Sequence, residues 1–109
     1  MKNEQIKLKD FLVDMGYELP KRLSNEFILD VFYEKDFESV KHYPNAPFIF
    51  VEEFEQRGDG QGYETFWVFQ RKSDNKFFYY YSYDGRVEQH ELIETKNKVT
   101  TKWDFEDQY

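Results

Sequence analysis

The side chains best equipped for chemistry are few in this chain, and their spacing is poor. His42 and His90 are its two imidazoles; they fall in different stretches with no His-x-x-x-His or Cys partner, so the ligand spacing of a zinc site is missing. Cysteine is absent, which excludes a disulfide framework, a thiolate metal site and a cysteine nucleophile together. Ser24, Ser39, Ser73 and Ser82 stand in no nucleophile-elbow context; Ser24 reads as a helix cap and Ser73 as a turn residue. Gly58, Gly60 and Gly62 have the spacing G-x-G-x-G, no Walker lysine follows, the expected sequel is a strand, and Glu55, Asp59 and Glu64 would repel a phosphate. They read as a hairpin tip. Arg57-Gly58-Asp59 matches an integrin-type tripeptide without a secretory context, and Asp59 lacks the acidic spacing of an EF-hand loop.

Carboxylates are the remaining candidates. Glu53, Glu55 and Glu64 are expected to converge around one hairpin, where a pair could act as acid and base or hold a divalent cation. Either role needs one of them buried enough to raise its pKa. At an open hairpin they read as a solvated face instead. No catalytic residues, metal or cofactor are therefore expected, and the chain does not read as an enzyme.

Charge is distributed more tellingly. The 39 residues from Glu26 to Glu64 hold ten acids against three bases, Lys35, Lys41 and Arg57, a balance of −7 that equals the whole net charge. The remaining twelve acids and twelve bases cancel. An acidic face on an otherwise neutral body points to a basic partner, and the lack of clustered Lys and Arg argues against binding a phosphate backbone. Glu52, Glu53, Glu55, Asp59 and Glu64 are the acids expected to meet that partner.

Aromatic residues make up 21% of the chain, and thirteen of the 23 lie between Phe48 and Tyr83. Such residues suit a pleated, half-buried surface. In the run from Phe77 to Tyr83, Phe77, Tyr79, Tyr81 and Tyr83 share one strand face, and Phe78 and Tyr80 share the other. One set must face the core. The other is expected to be covered or to present a tyrosine-rich interface, with Tyr80 as a candidate anchor.

The elements that position these residues follow from periodicity. Leu8, Phe11, Leu12 and Met15 line one face of a helix expected from about Glu4 to Met15, with Asn3 as its cap and Gly16 as a left-handed stop. Leu23, Phe27 and Val31 are spaced for a second helix to about Phe32, with Pro20 near its start, although the run Phe27–Tyr33 also suits a strand. A further helical turn over Asp36–Tyr43 is ended by Pro44 and Pro47. Phe48 onward reads as strand, with Phe48, Phe50 and Phe54 on one face and Glu52, Glu53 and Glu55 reaching water. Tyr63–Arg71, Phe77–Tyr83 and Val87–Ile93 continue the sheet through Ser73-Asp74-Asn75 and Asp84-Gly85 turns. Val99–Phe105 is a last strand, with Trp103 on its buried face.

The expected architecture is a single α+β domain over 1–109, with one or two N-terminal helices packed on a five-stranded, mostly antiparallel meander sheet. Met1 opens into the polar run Lys2-Asn3-Glu4-Gln5 and no long apolar run follows, so neither a signal peptide nor a membrane span is expected and the location reads as cytoplasmic.

In size, acidity and lack of a catalytic set, the chain resembles small acidic bacterial toxin-immunity proteins as a class. That resemblance implies an inhibitor that neutralises a basic toxin by surface complementarity, and it assigns no residue a role. Two alternatives use other surfaces or partners: a small-ligand or enzymatic domain with an aromatic cleft between sheet and helices, and a DNA mimic that occupies a nucleic-acid-binding protein through arrayed carboxylates.

Overall fold

The computed structural model describes residues 4–34, 45–57, 62–87 and 89–95. The expected turn over 36–43, the last strand with Trp103, and Asp59 lie outside these residues. The architecture is α+β, as expected: two helices pack on one face of an antiparallel sheet. In chain order the elements are β1 (Gln5–Lys7), α1 (Leu8–Asp14), α2 (Asn25–Glu34), β2 (Phe48–Arg57), β3 (Tyr63–Arg71), β4 (Phe77–Tyr83), β5 (Arg86–Val87) and β6 (Glu91–Thr95). The strand order is β1-β6-β4-β3-β2, and β5 pairs with the far end of β4. No helix of the described residues is long and apolar enough to cross a membrane.

α1 buries Leu8, Phe11 and Leu12, the face that the spacing predicts. Its end is a Schellman cap: Gly16 adopts φ 94°, its N–H donates to the Val13 carbonyl, and the Tyr17 N–H donates to the Leu12 carbonyl at 3.0 Å. Its start differs from the expectation. The helix begins at Leu8 rather than near Glu4, because Gln5–Lys7 are extended and pair with β6. Lys7 supplies no side-chain cap; the Leu8 N–H instead donates to the His90 carbonyl at 2.9 Å, which satisfies one of the helix's open donors.

The ambiguous stretch after Pro20 resolves as helix. Ser24 caps α2 by accepting the Phe27 N–H on its hydroxyl at 3.1 Å, and Ile28, Val31 and Phe32 point into the core. Pro20 lies in the connector ahead of it.

The sheet departs from a simple meander in three places. β1 adds a strand at one edge, where three mostly polar residues gave no strand signal. The expected strand Val87–Ile93 is split into β5 and β6, whose registers on β4 differ by three residues. In the gap the buried Gln89 side chain donates to the Tyr79 and Glu91 carbonyls, standing in for the missing backbone ladder. The third departure is a bulge in β2. Phe50 pairs with Phe69 but Glu52 pairs with Val68, so Val51 is the extra residue and the facing of every later side chain changes. Phe48 and Phe50 therefore pack toward the helices, whereas Phe54 joins the opposite face.

Both expected turns form as read. Asp84 and Gly85 have φ 53° and 74°, the positive pair that a two-residue hairpin loop requires. Asn75 has φ 62°, and the Asp74 carboxylate accepts the Lys76 N–H in the same turn.

The helix-side core gathers Phe11, Phe32, Phe48, Trp67, Phe69, Phe78, Tyr80 and Leu92 with the aliphatic residues of both helices. The opposite face carries a separate cluster of Phe66, Val68 and Tyr79, flanked by Phe54, Phe77, Tyr81 and Ile93.

An ionic network ties the two ends of the described chain together. Arg71 donates to both oxygens of Glu4 at 2.8 Å and to Asp74 at 2.7 and 3.1 Å, while Glu4 exchanges backbone and side-chain bonds with Glu94. The Arg71 hydrogen bond holds Glu4 below the usual carboxylate range, and the same guanidinium holds Asp74 down at about 2. Depressed carboxylate pKa values contribute stability that is present above the unfolded-state values and lost as pH falls through the folded ones. We predict that the denaturation midpoint drops between about pH 4 and pH 2, and that Arg71→Gln flattens this acid limb. An unchanged acid slope in Arg71→Gln would show that the network does not report on folding.

Candidate functional site

The acidic residues singled out from the sequence divide between the two faces of the sheet. Residues opposite one another in an antiparallel pair share a face, so Glu53, opposite Trp67, and Glu55, opposite Thr65, lie on the helix side. Glu52 pairs with Val68 on the other face, and Glu64 lies there too, opposite Gln56. Glu53, Glu55 and Glu64 therefore do not converge. Glu64 is also 5% exposed, which removes it from the solvated rim.

Tyr80 requires a larger correction. It is 0% exposed, and its ring stacks on Phe32 at 4.3 Å with an interplanar angle of 12°. A residue enclosed between α2 and the sheet cannot anchor a partner. The tyrosine-rich face opposite is not open either, since Phe66 and Tyr79 are buried. The expected aromatic cleft is likewise filled: Phe32 sits 5.1 Å from the Trp67 ring as well as against Tyr80.

What the helix-side face does present is a ledge where α2 ends. Trp67 Nε1 donates to Glu53 Oε2 at 2.7 Å, so the carboxylate expected to reach water unassisted is fixed against the core. Tyr33, the residue after the buried Phe32, stands perpendicular to Trp67 with ring centres 5.1 Å apart. Its hydroxyl lies 3.2 Å from Ser82 Oγ. Beyond Glu53 the strand continues to the exposed Glu55, and Tyr63 on β3, facing the same way, is half exposed, as is Tyr33. The ledge thus combines one carboxylate, Glu53, held in place by a buried tryptophan, the exposed carboxylate of Glu55, and two accessible phenol rings, a composition favoured at protein interfaces.

Neither Tyr33 nor Tyr63 was singled out from the sequence. The signal for Tyr33 was its place beside Phe32, one step off the buried helical stripe. Among the described residues the Ser82 hydroxyl has the Tyr33 phenol as its hydrogen-bond partner. Among the described residues no three His, Cys, Asp or Glu side chains gather to hold a metal ion.

A second concavity of about 380 Å³ opens beside the β1–α1 junction, lined by Lys7, Leu8, Lys9, Leu23, His90 and Glu91. It is open and mixed in charge, and among its described lining residues there is no Phe, Tyr or Trp of the kind expected of a ligand cleft.

The chain matches no protein-family model, no curated protein and no solved structure.

Proposed function

We propose that the chain is a protein-binding domain that captures a basic partner on the acidic ledge, in its concrete form an inhibitor or immunity protein that neutralises a toxin in the cytoplasm. The observation that carries this reading is the alignment of Glu53 and Glu55 with the exposed rings of Tyr33 and Tyr63 on one face. Blocking a basic site needs surface complementarity and fast encounter rather than bond making, and both are properties of such a ledge. A nucleic-acid-binding protein is one basic partner that fits, with the carboxylates taking the place of phosphates.

Rim carboxylates act chiefly on encounter, and accessible aromatic rings on residence time. The combined variant Glu53→Gln, Glu55→Gln should therefore associate about threefold more slowly at low salt and show a weaker salt dependence. Gln at position 53 keeps an acceptor for the Trp67 N–H, so the fold is spared. Tyr33→Ala should instead speed dissociation. The measurement is association and dissociation rates, at low and high salt, with a partner isolated from the native cell. A partner that is itself acidic, or a variant that associates at the wild-type rate at every salt concentration, refutes the reading.

A further inference from the structure

The concavity beside the β1–α1 junction lies at the opposite edge of the sheet from Glu53 and Glu55, since β1 and β2 are the two ends of the strand order. Local pairing holds its walls in place. Lys7 stands directly opposite Glu91 in the β1–β6 register, and the Leu8 N–H is bonded to the His90 carbonyl at 2.9 Å. Leu23, from the connector ahead of α2, packs against the core and lines the concavity as well. The volume of about 380 Å³ falls at the small end of the range of ligand sites.

Charge here inverts that of the protein as a whole. On a chain of net charge −7, the described lining residues carry two lysines, Lys7 and Lys9, against one acid, Glu91. His90 adds an imidazole N–H, which it keeps in either of its charge states. Lys76 shows what a lysine on this sheet does when acids are in reach, lying 3.7 and 3.8 Å from Glu4 and Glu94. Among the described residues Lys7, Lys9 and His90 form no such pair, although Glu91 is the cross-strand neighbour of Lys7. Basic groups therefore converge without an anion, beside the buried Leu8 and the half-buried Leu23.

We infer that this concavity binds a small aliphatic monocarboxylate, with its carboxylate between Lys7 and Lys9 and its hydrocarbon chain against Leu8 and Leu23. One negative charge matches the surplus of two lysines over one glutamate, whereas the second charge of a phosphate monoester would meet Glu91. Leucine side chains offer no ring face for a planar ligand to stack on. An alkyl chain needs none, because its gain depends on the apolar area it covers.

The test is a titration of the full, nitrogen-15-labelled chain followed by its amide resonances, with hexanoate, hexanol and inorganic phosphate as separate probes. Hexanoate at about millimolar concentration should shift the amides of Lys7, Lys9, Leu23 and His90, and hexanol and phosphate should each bind at least about tenfold more weakly. Lys7→Gln, Lys9→Gln changes two exposed side chains and should weaken hexanoate about tenfold with the circular dichroism spectrum unchanged. Glu53→Gln, Glu55→Gln, at the other edge, should leave the titration as it is. Hexanol binding as tightly as hexanoate shows that the lysines hold no carboxylate and overturns the inference. Phosphate binding as tightly shows an anion site with no apolar selection and overturns it too. So does the absence of any shift at these four amides, and none of these results touches the acidic ledge.

Discussion

Trp67→Ala should destabilise the protein by about 3–5 kcal/mol, measured as the shift of a denaturant midpoint followed by far-ultraviolet circular dichroism. Trp67 is 0% exposed and sits where three elements meet. Its indole touches Phe32 from α2 and Tyr80 from β4, carries Tyr33 at its edge, and donates to Glu53 on β2. Truncation leaves a cavity and also releases Glu53 from the contact that fixes it. Against an ordinary domain stability of about 5–15 kcal/mol, such a loss approaches global unfolding. Trp67→Phe separates the two contributions, since it keeps most of the packing and drops the N–H, at a cost near 1 kcal/mol. If alanine at 67 leaves the midpoint within the range of a surface substitution, α2 does not depend on this contact.

Tyr80→Phe should move stability the other way. The Tyr80 hydroxyl is buried with no hydrogen-bond partner among the described residues, and an unpaired hydroxyl costs about 1–3 kcal/mol relative to water. Phenylalanine keeps the stack on Phe32 and removes that penalty, so a gain of about 1 kcal/mol is expected. Burial, followed by the charge of Glu91, pushes the Tyr80 phenol upward from 10.0. An acid whose folded pKa is raised contributes stability that is complete below the unfolded value and falls as pH rises beyond it. Wild type should therefore lose stability above pH 10, and Tyr80→Phe should lose less. A lower midpoint in Tyr80→Phe at neutral pH would mean that the hydroxyl is satisfied in solution.

The parts of the fold legible in the sequence are those set by neighbours along the chain. Leu8, Phe11, Leu12 and Met15 define one helical stripe, Gly16 ends it, Ser24 caps α2, and Asp84-Gly85 closes a hairpin. Each is fixed by a few adjacent residues whose local energetics need no distant partner. The illegible parts depend on parity or on remote pairing. One extra residue at Val51 sends Phe54 to the opposite face, and nothing local to Phe50-Val51-Glu52 announces it. Gln5–Lys7 become a strand because β6 is there to pair with. Tyr80 and Tyr79 are indistinguishable in a run of three tyrosines, and only the position of Phe32 decides which of them lies under α2. For the candidate site, the acidic segment was visible as composition, but its division between two faces was set by the β2–β3 register.

The bond between Glu4 and Glu94 spans 90 residues of chain, and this has a kinetic consequence. Closing a loop of that length costs about 2 kcal/mol more in chain entropy than closing the short β3–β4 hairpin, so β3 and β4 can pair early while β1 must wait. α1 waits with it, since its first N–H finds its acceptor at His90. On a ribosome, Leu8, Phe11 and Leu12 leave the tunnel well before β6; Phe11 can meet Phe32, Phe48 and Phe69 by then, but the part of the core that Leu92 supplies comes only with β6. The β1–α1 junction is thus completed late in folding, and until then the part of its apolar stripe that Leu92 covers is open to chaperones and aggregation.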